Sequence, residues 1–181
     1  MVEQLNHDNN TFKERSFPVT IICDHVTSAS NIGSIFRLAD AFGVEKIIFI
    51  GVEPVFSRRV EKTARATHKF IPYEYIENEE GFIVHLKEEN YTIIALEITN
   101  NSKAIENLKI PLQNKTALLI GNENYGVSQK LLSIANHVHH IEMFGKNSSM
   151  NLAQATAISL YEITNRYRMV FIWAFYLILL N

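Results

Sequence analysis

The chain alternates between short apolar runs and segments with helical periodicity. The runs "FPVTIICDHV" (17–26), "KIIFIG" (46–51), "YTIIALEIT" (91–99), "TALLIG" (116–121) and "HHIEMFG" (139–145) are rich in β-branched residues and show little alternation of apolar with polar positions. That pattern belongs to strands buried on both faces. Between them, "NIGSIFRLADAFG" (31–43) puts Ile32, Ile35, Phe36, Ala39 and Phe42 on one side of a helix. Asn31 is placed to cap that helix and Gly43 to end it. "EEGFIVHLKEEN" (79–90), "GVSQKLLSIAN" (126–136) and "NLAQATAISLYEITNRY" (151–167) read as further helices. Strands alternating with helices predict an α/β fold, a mostly parallel sheet with helices on both faces.

No repeat, low-complexity tract or Pro/Gly-rich linker divides the 181 residues. One domain over 1–181 is therefore expected, with a short polar N-terminal extension (1–16) and an apolar C-terminal tail (169–181). The tail, "MVFIWAFYLILL", is too short to cross a bilayer as a helix, which takes about 20 residues. It is expected to pack on the body or on a second subunit. A composition of 47% hydrophobic and 20% charged residues suits a globular protein with a sizeable core. The single cysteine, Cys23, excludes an intrachain disulfide framework. With no signal-peptide pattern at the start, a cytoplasmic protein is expected.

Charge is unevenly spread. In "SRRVEKTARATHKF" (57–70) five cations, Arg58, Arg59, Lys62, Arg65 and Lys69, stand with one anion, Glu61, a local balance of +4 in a chain of net charge −2. The segment 57–69 lies between a strand and "FIPYEYI" (70–76), as a loop and short helix at a sheet end. Were it helical throughout, Arg58, Lys62, Arg65 and Lys69 would share one face. A solvated helix usually intersperses signs, so a stripe of one sign points to a polyanion.

In a parallel sheet ligands sit at the carboxyl ends of the strands. Three polar segments follow strands: "DHVTSASNIGSIFR" (24–37), "GNENYG" (121–126) and "FGKNSSMN" (144–151). The second is not a phosphate loop. Its glycines are spaced Gly-x-x-x-x-Gly, no Lys-Ser/Thr follows, and Glu123 would repel a phosphate. Small side chains and amides predominate, which points to a site built on backbone and amide hydrogen bonds. Each candidate has a plainer reading. Arg37 suits a surface arginine, Glu123 a turn carboxylate, and Ser149 and Asn151 helix caps. Cys23 and His25, two apart on a strand, would make a nucleophile pair, but a lone cysteine in an apolar strand usually belongs to the core. His137, His139 and His140 have no cysteine or carboxylate pair nearby, so no metal is expected.

Taken together and in order, the three segments resemble the motifs of the SPOUT superfamily of RNA methyltransferases, in its TrmH-like (SpoU) branch of 2′-O-ribose methyltransferases. "NIGSIFR", "IGNENYGV" and "IEMFGKNSSMN" carry the resemblance, which covers residues 19–165. It implies a trefoil-knotted C-terminal half, a homodimer, and S-adenosylmethionine as cofactor. It also implies Asn31, Arg37, Glu123, Ser149 and Asn151 as catalytic positions, and Leu96, Gly121, Ile141 and Met150 as cofactor contacts. Glu142 and Met150 depart from the proline and leucine usual in the family. The basic segment, with Arg58, Lys62, Arg65 and Lys69 as RNA contacts, resembles that of the tRNA guanosine-18 enzymes. The expected partner is therefore RNA, tRNA ahead of ribosomal RNA. A non-catalytic RNA-binding dimer of the same fold is the alternative, and retention of Arg37, Glu123, Ser149 and Asn151 speaks against it.

Overall fold

The computed structural model describes residues 4, 9, 11–111 and 113–179, the stretch 170–179 as backbone only. Seven strands form one sheet: β1 (Phe17–Asp24), β2 (Val44–Ile50), β3 (Tyr73–Ile76), β4 (Thr92–Leu96), β5 (Lys103–Ala104), β6 (Thr116–Ile120) and β7 (His137–His140). Their spatial order is β3-β2-β1-β6-β4-β7-β5, and every pairing is parallel. Ile47, Ile21, Leu118 and Ile94 lie in register across the four strands β2, β1, β6 and β4.

Both faces of these strands are buried, which explains why the sequence runs apolar without alternation. On one face Val19, Ile21, Cys23, Ile47 and Leu118 pack with Ile35, Phe36, Val60, Leu160 and Ile163. These come from the helices α1 (Ala29–Ala41), α2 (Arg58–Ala64) and α5 (Leu152–Leu179). On the other face Ile22, Ile48, Ala95 and Leu119 pack with Phe82, Leu86 and Leu131. Those belong to α3 (Glu79–Glu88) and α4 (Gln129–Leu132). Tyr167 fixes α5 to the start of β6, its hydroxyl 2.8 Å from Thr116 Oγ1 and donating to the Asn114 carbonyl at 3.1 Å. Burial raises its pKa.

Several expectations change. Ser28, not Asn31, caps α1, its side chain accepting from Asn31 N. Asn31 is instead buried inside the first turn, at 4% exposure. Gly43 ends the helix at φ +60, as its position suggested. β1 stops at Asp24 and His25 turns out of the strand at φ 52. The last strand is His137–His140 rather than 139–145, because its backbone pairs with β4 and β5 while 141–151 forms a loop. The short strands β3 and β5 had no apolar signature, and the helix expected over 126–136 shrinks to α4. The cationic stripe does not form one helical face. α2 ends at Ala64, and Arg65 and Ala66 are left-handed at φ 52 and φ 72. Lys69 lies in the following 3-10 turn, Thr67–Lys69. The four residues are nonetheless all exposed. The packing of the apolar tail lies outside the described side chains. Among the described residues no helix is long and apolar enough to cross a membrane.

Gly33 is where α1 and α2 touch. A Cβ there would meet Val60 O at 2.6 Å and the Thr63 Cβ at 2.7 Å. Gly33→Ala is expected to push α2 away and to lower stability by about 1–3 kcal/mol, the usual cost of overpacking, read as a lower urea midpoint. An unchanged midpoint would contradict this close approach.

Candidate active site

Because all strands point the same way, the carboxyl ends of the neighbours β1, β6, β4 and β7 lie at one edge of the sheet. The loops after them meet there. Between them opens a cleft of about 480 Å³. Leu96, Gly121, Ile141 and Met150, the expected cofactor contacts, all line it, as do Glu123, Ser149 and Asn151. Among the described residues its wall has no lysine or arginine. Phosphate would find no counter-charge here.

Asn31 joins three loops. Its Nδ2 donates to Glu123 Oε1 at 2.9 Å, in the loop after β6. Its Oδ1 accepts from Asn151 Nδ2 at 3.0 Å, in the loop after β7. Asn151 in turn caps α5, its Oδ1 accepting from Ala153 N at 2.9 Å. Glu123 Oε1 also accepts from Ser28 N at 3.1 Å. Four of the five expected catalytic positions thus come together, since Ser149 lies on the same wall two residues before Asn151. Arg37 is apart. It is exposed on α1, does not line the cleft, and makes no hydrogen bond or ion pair among the described residues.

The loop 121–126 closes on itself. Asn122 and Gly126 exchange backbone hydrogen bonds at 3.0 and 2.8 Å, and Asn122 Oδ1 accepts from Asn124 N at 2.9 Å. Gly121 is required because a Cβ would run into the backbone of Gly126 and Val127. Gly126 is left-handed at φ +69, and a Cβ would strike the Glu97 carboxylate.

Two acids that the sequence did not single out hold this loop down. Glu97, after β4, accepts from Val127 N at 2.9 Å and from Ile98 N at 2.9 Å. Asp24, 1% exposed at the end of β1, accepts from Ser128 N at 2.7 Å and faces His25 Nδ1 at 2.7 Å. A carboxylate ending an apolar strand was the only signal for either. Cys23 is fully buried; desolvation above all, then the nearby Glu123 and Asp24 charges, pushes its thiol well above the usual range. It is core, not a nucleophile. His139 is buried and its pKa is lowered, chiefly by desolvation. Among the described residues no group of three or more His, Cys, Asp or Glu side chains could hold a metal ion.

The sequence profile of the SpoU rRNA Methylase family matches residues 18–161, a span that includes all three motif loops. The chain belongs to the SpoU rRNA methylase family. This family member is 26% identical over 160 residues to a tRNA (guanosine(18)-2′-O)-methyltransferase of Aquifex aeolicus, covering 88% of this chain and 75% of that one. It is 28% identical to the 23S rRNA (guanosine(2553)-2′-O)-methyltransferase of Bacillus subtilis over 79% of this chain and 56% of that one. Against a yeast tRNA (guanosine(18)-2′-O)-methyltransferase the match spans only 11% of the larger protein. The crystal structure of the A. aeolicus TrmH/SpoU tRNA modifying enzyme superposes with a TM-score of 0.77 at 25% identity, covering 89% of this chain and 81% of that one. An AdoMet-bound rRNA methyltransferase of Sinorhizobium meliloti gives 0.75 at 28%, covering 86% and 57%. The seven-stranded parallel sheet with its flanking helices is thus the SPOUT fold.

Asn31→Ala is expected to free both loops at once. Two part-buried hydrogen bonds disappear, one of them to a carboxylate, so a stability loss of about 1–3 kcal/mol is expected. Hydrogen exchange should quicken at 121–128 and 141–151 and stay unchanged in β2 and β3. Uniform quickening would contradict a role confined to the loops.

Proposed function

We propose that this chain is an S-adenosylmethionine-dependent RNA 2′-O-ribose methyltransferase, acting on tRNA in preference to ribosomal RNA. The observation that carries this is the cleft, uncharged by any lysine or arginine and tied through Asn31 to the helix that bears Arg37. S-adenosylmethionine suits such a wall. Leu96, Ile141, Met150 and Leu152 offer apolar surface to an adenosine, and the backbone of 121–126 and of 148–151 offers hydrogen bonds. The cofactor carries no phosphate, and among the described residues no lysine or arginine of the wall opposes its positive sulfur. Bound there, it supplies an electrophilic methyl group.

The residues would divide the remaining work. A guanidinium is a poor base and a strong multi-donor cation, so Arg37 is cast as a binding group and not as the proton acceptor. Its role is to bind a substrate phosphate and the alkoxide developing at the ribose 2′-oxygen. Asn31, Glu123 and Asn151 hold the loops in register, and Ser149 offers a hydroxyl to ribose or cofactor. Leu96, Gly121, Ile141 and Met150 would contact the cofactor. Arg58, Lys62, Arg65 and Lys69 would contact RNA phosphates, their exposure leaving them accessible to a long polyanion.

A single domain working as a cytoplasmic homodimer, knotted in its C-terminal half, completes the reading. Arg37 stands off the cleft of its own chain, and a second copy offers a route for it to reach one. Exposed Ile158 and Tyr161 on α5 offer apolar surface for such an association. The tRNA preference rests on the basic segment and on the Aquifex relative, which is named for a tRNA substrate and three quarters of whose length this chain spans.

The deciding experiment supplies labelled S-adenosylmethionine with unmodified tRNA or ribosomal RNA and identifies the methylated nucleoside. Label is expected on a ribose 2′-oxygen of tRNA, at a linkage that resists alkali, and chelator should change nothing. Arg37→Ala is expected to lower transfer about 10²–10³-fold while cofactor binding is retained, and Arg37→Lys to rescue little of it. Label on a base, or full activity in Arg37→Ala, would overturn this mechanism. Replacing Arg58, Lys62, Arg65 and Lys69 by alanine is expected to flatten the salt dependence of RNA binding. The log–log slope should fall by roughly 0.7–0.9 for each phosphate no longer neutralised, with cofactor affinity unchanged. An unaltered slope would make the segment a solvated surface only.

A further inference from the structure

At the sheet edge formed by β5 and β7 lies a second cleft, of about 500 Å³, which shares no residue with the first. Its charged wall is assembled from separate stretches: Lys103 on β5, Glu106 and Lys109 after it, His137 and His139 on β7, and Arg166 on α5. Lys103 is brought against His139 by the parallel pairing of the two strands. Among the lining residues three permanent cations face the carboxylate of Glu106, and Glu162, outside the lining, pairs with Arg166 at 3.2 Å, which leaves an excess of positive charge.

The two lysines are also unused by the protein itself among the described residues. Lys46, Lys115 and Lys130 each reach a glutamate elsewhere on the surface. Lys103 and Lys109, beside Glu106, have no side-chain hydrogen bond or ion pair among the described residues. Arg166 is held in place by its Nη2, which donates to the Glu106 carbonyl at 2.8 Å and to Glu162 Oε2 at 3.2 Å. Its Nε is shielded from solvent and has no partner. An arginine has five N–H donors, so most of its capacity is unspent. The two imidazoles add donors when protonated, their rings 6.2 Å apart. His139 is held through Nδ1 against the Lys103 and Ala104 carbonyls at 3.1 and 3.2 Å.

We propose that this edge cleft binds a phosphate group, either a backbone phosphate of an RNA chain or that of a free nucleotide. A phosphate offers several acceptor oxygens to the point charges of two lysines and the planar donors of an arginine. Bound there, it would neutralise the excess charge of the lysines and of His139 when protonated, a form that burial above all disfavours. The contrast with the first cleft is chemical: among the described residues one wall has no lysine or arginine and the other has three. The inference is independent of methyl transfer.

The test follows the imidazole NMR signals of His137 and His139 in the full chain while inorganic pyrophosphate is added at constant pH and ionic strength. Both signals are expected to move saturably, and to stop responding in the Lys103→Ala/Lys109→Ala variant, whose exposed side chains leave the core untouched. Two further arms identify the source of the phosphate. If it is the RNA backbone, a short RNA displaces pyrophosphate at these signals, and the double variant lowers the salt slope of RNA binding by roughly 1.5. If it is a free nucleotide, ATP moves the signals and the RNA slope stays unchanged. Either result supports the site. No saturable movement with pyrophosphate, or equal movement in the double variant, overturns it. The pyrophosphate arm needs neither RNA nor cofactor, so its failure is distinguishable from a failure of the methyl-transfer reading.

Discussion

The side-chain amide of Asn31 can be satisfied while buried only if two loops arrive on either side of it. Its nitrogen needs an acceptor, which Glu123 provides from 92 positions away, and its oxygen needs a donor, which Asn151 provides from 120 positions away. Leaving either half unpaired inside the protein would cost about 1–3 kcal/mol. This requirement sets the relative position of three loops whose strands already run parallel in one sheet. It also couples the start of α1 to the start of α5, since Ser28 caps the first and Asn151 the second. The cleft wall is a consequence of that coupling.

Around this amide the remaining loop interactions act in one direction. Asp24 and Glu97 receive backbone N–H groups of Ser128 and Val127. Carboxylate acceptors make the stronger class of hydrogen bond, so the segment after Gly126 is fastened from two neighbouring strands. The turn 121–126 is then free to spend its own backbone on the Asn122–Gly126 pair and to keep its outer side open. Glycine is needed at 121 and 126 for steric reasons, not for flexibility.

Charge is partitioned across the molecule in a way that composition conceals. A net charge of −2 suggests little affinity for nucleic acid. Yet the loop and helix over 57–69 and the β5–β7 edge concentrate cations, while the cleft at the strand ends holds acids engaged in backbone hydrogen bonds. A polyanion and a phosphate-free cofactor call for opposite electrostatic surroundings, and the fold keeps the exposed cations and the acids of the cleft on different elements.

Much of the architecture was legible because strands buried on both faces must be apolar throughout, and helices with one buried face must repeat every three to four residues. The motif residues were legible through their order along the chain. Polar strands such as "HVHH" were not, because a backbone paired on both sides needs no apolar signature; β3 and β5 escaped because short edge strands carry little apolar pattern. Nothing in the identities of Arg65 and Ala66 announces the left-handed turn that breaks the cationic stripe. The local sequence by itself therefore determined the element types, the parallel sheet and the residues available for chemistry. Only the tertiary structure decided that β6 and β4 lie between β1 and β7, that Arg37 stands off the cleft, and that Asp24 and Glu97 are its fasteners. Those depend on which distant segments become neighbours, and a hydrogen bond across 104 residues leaves no local trace.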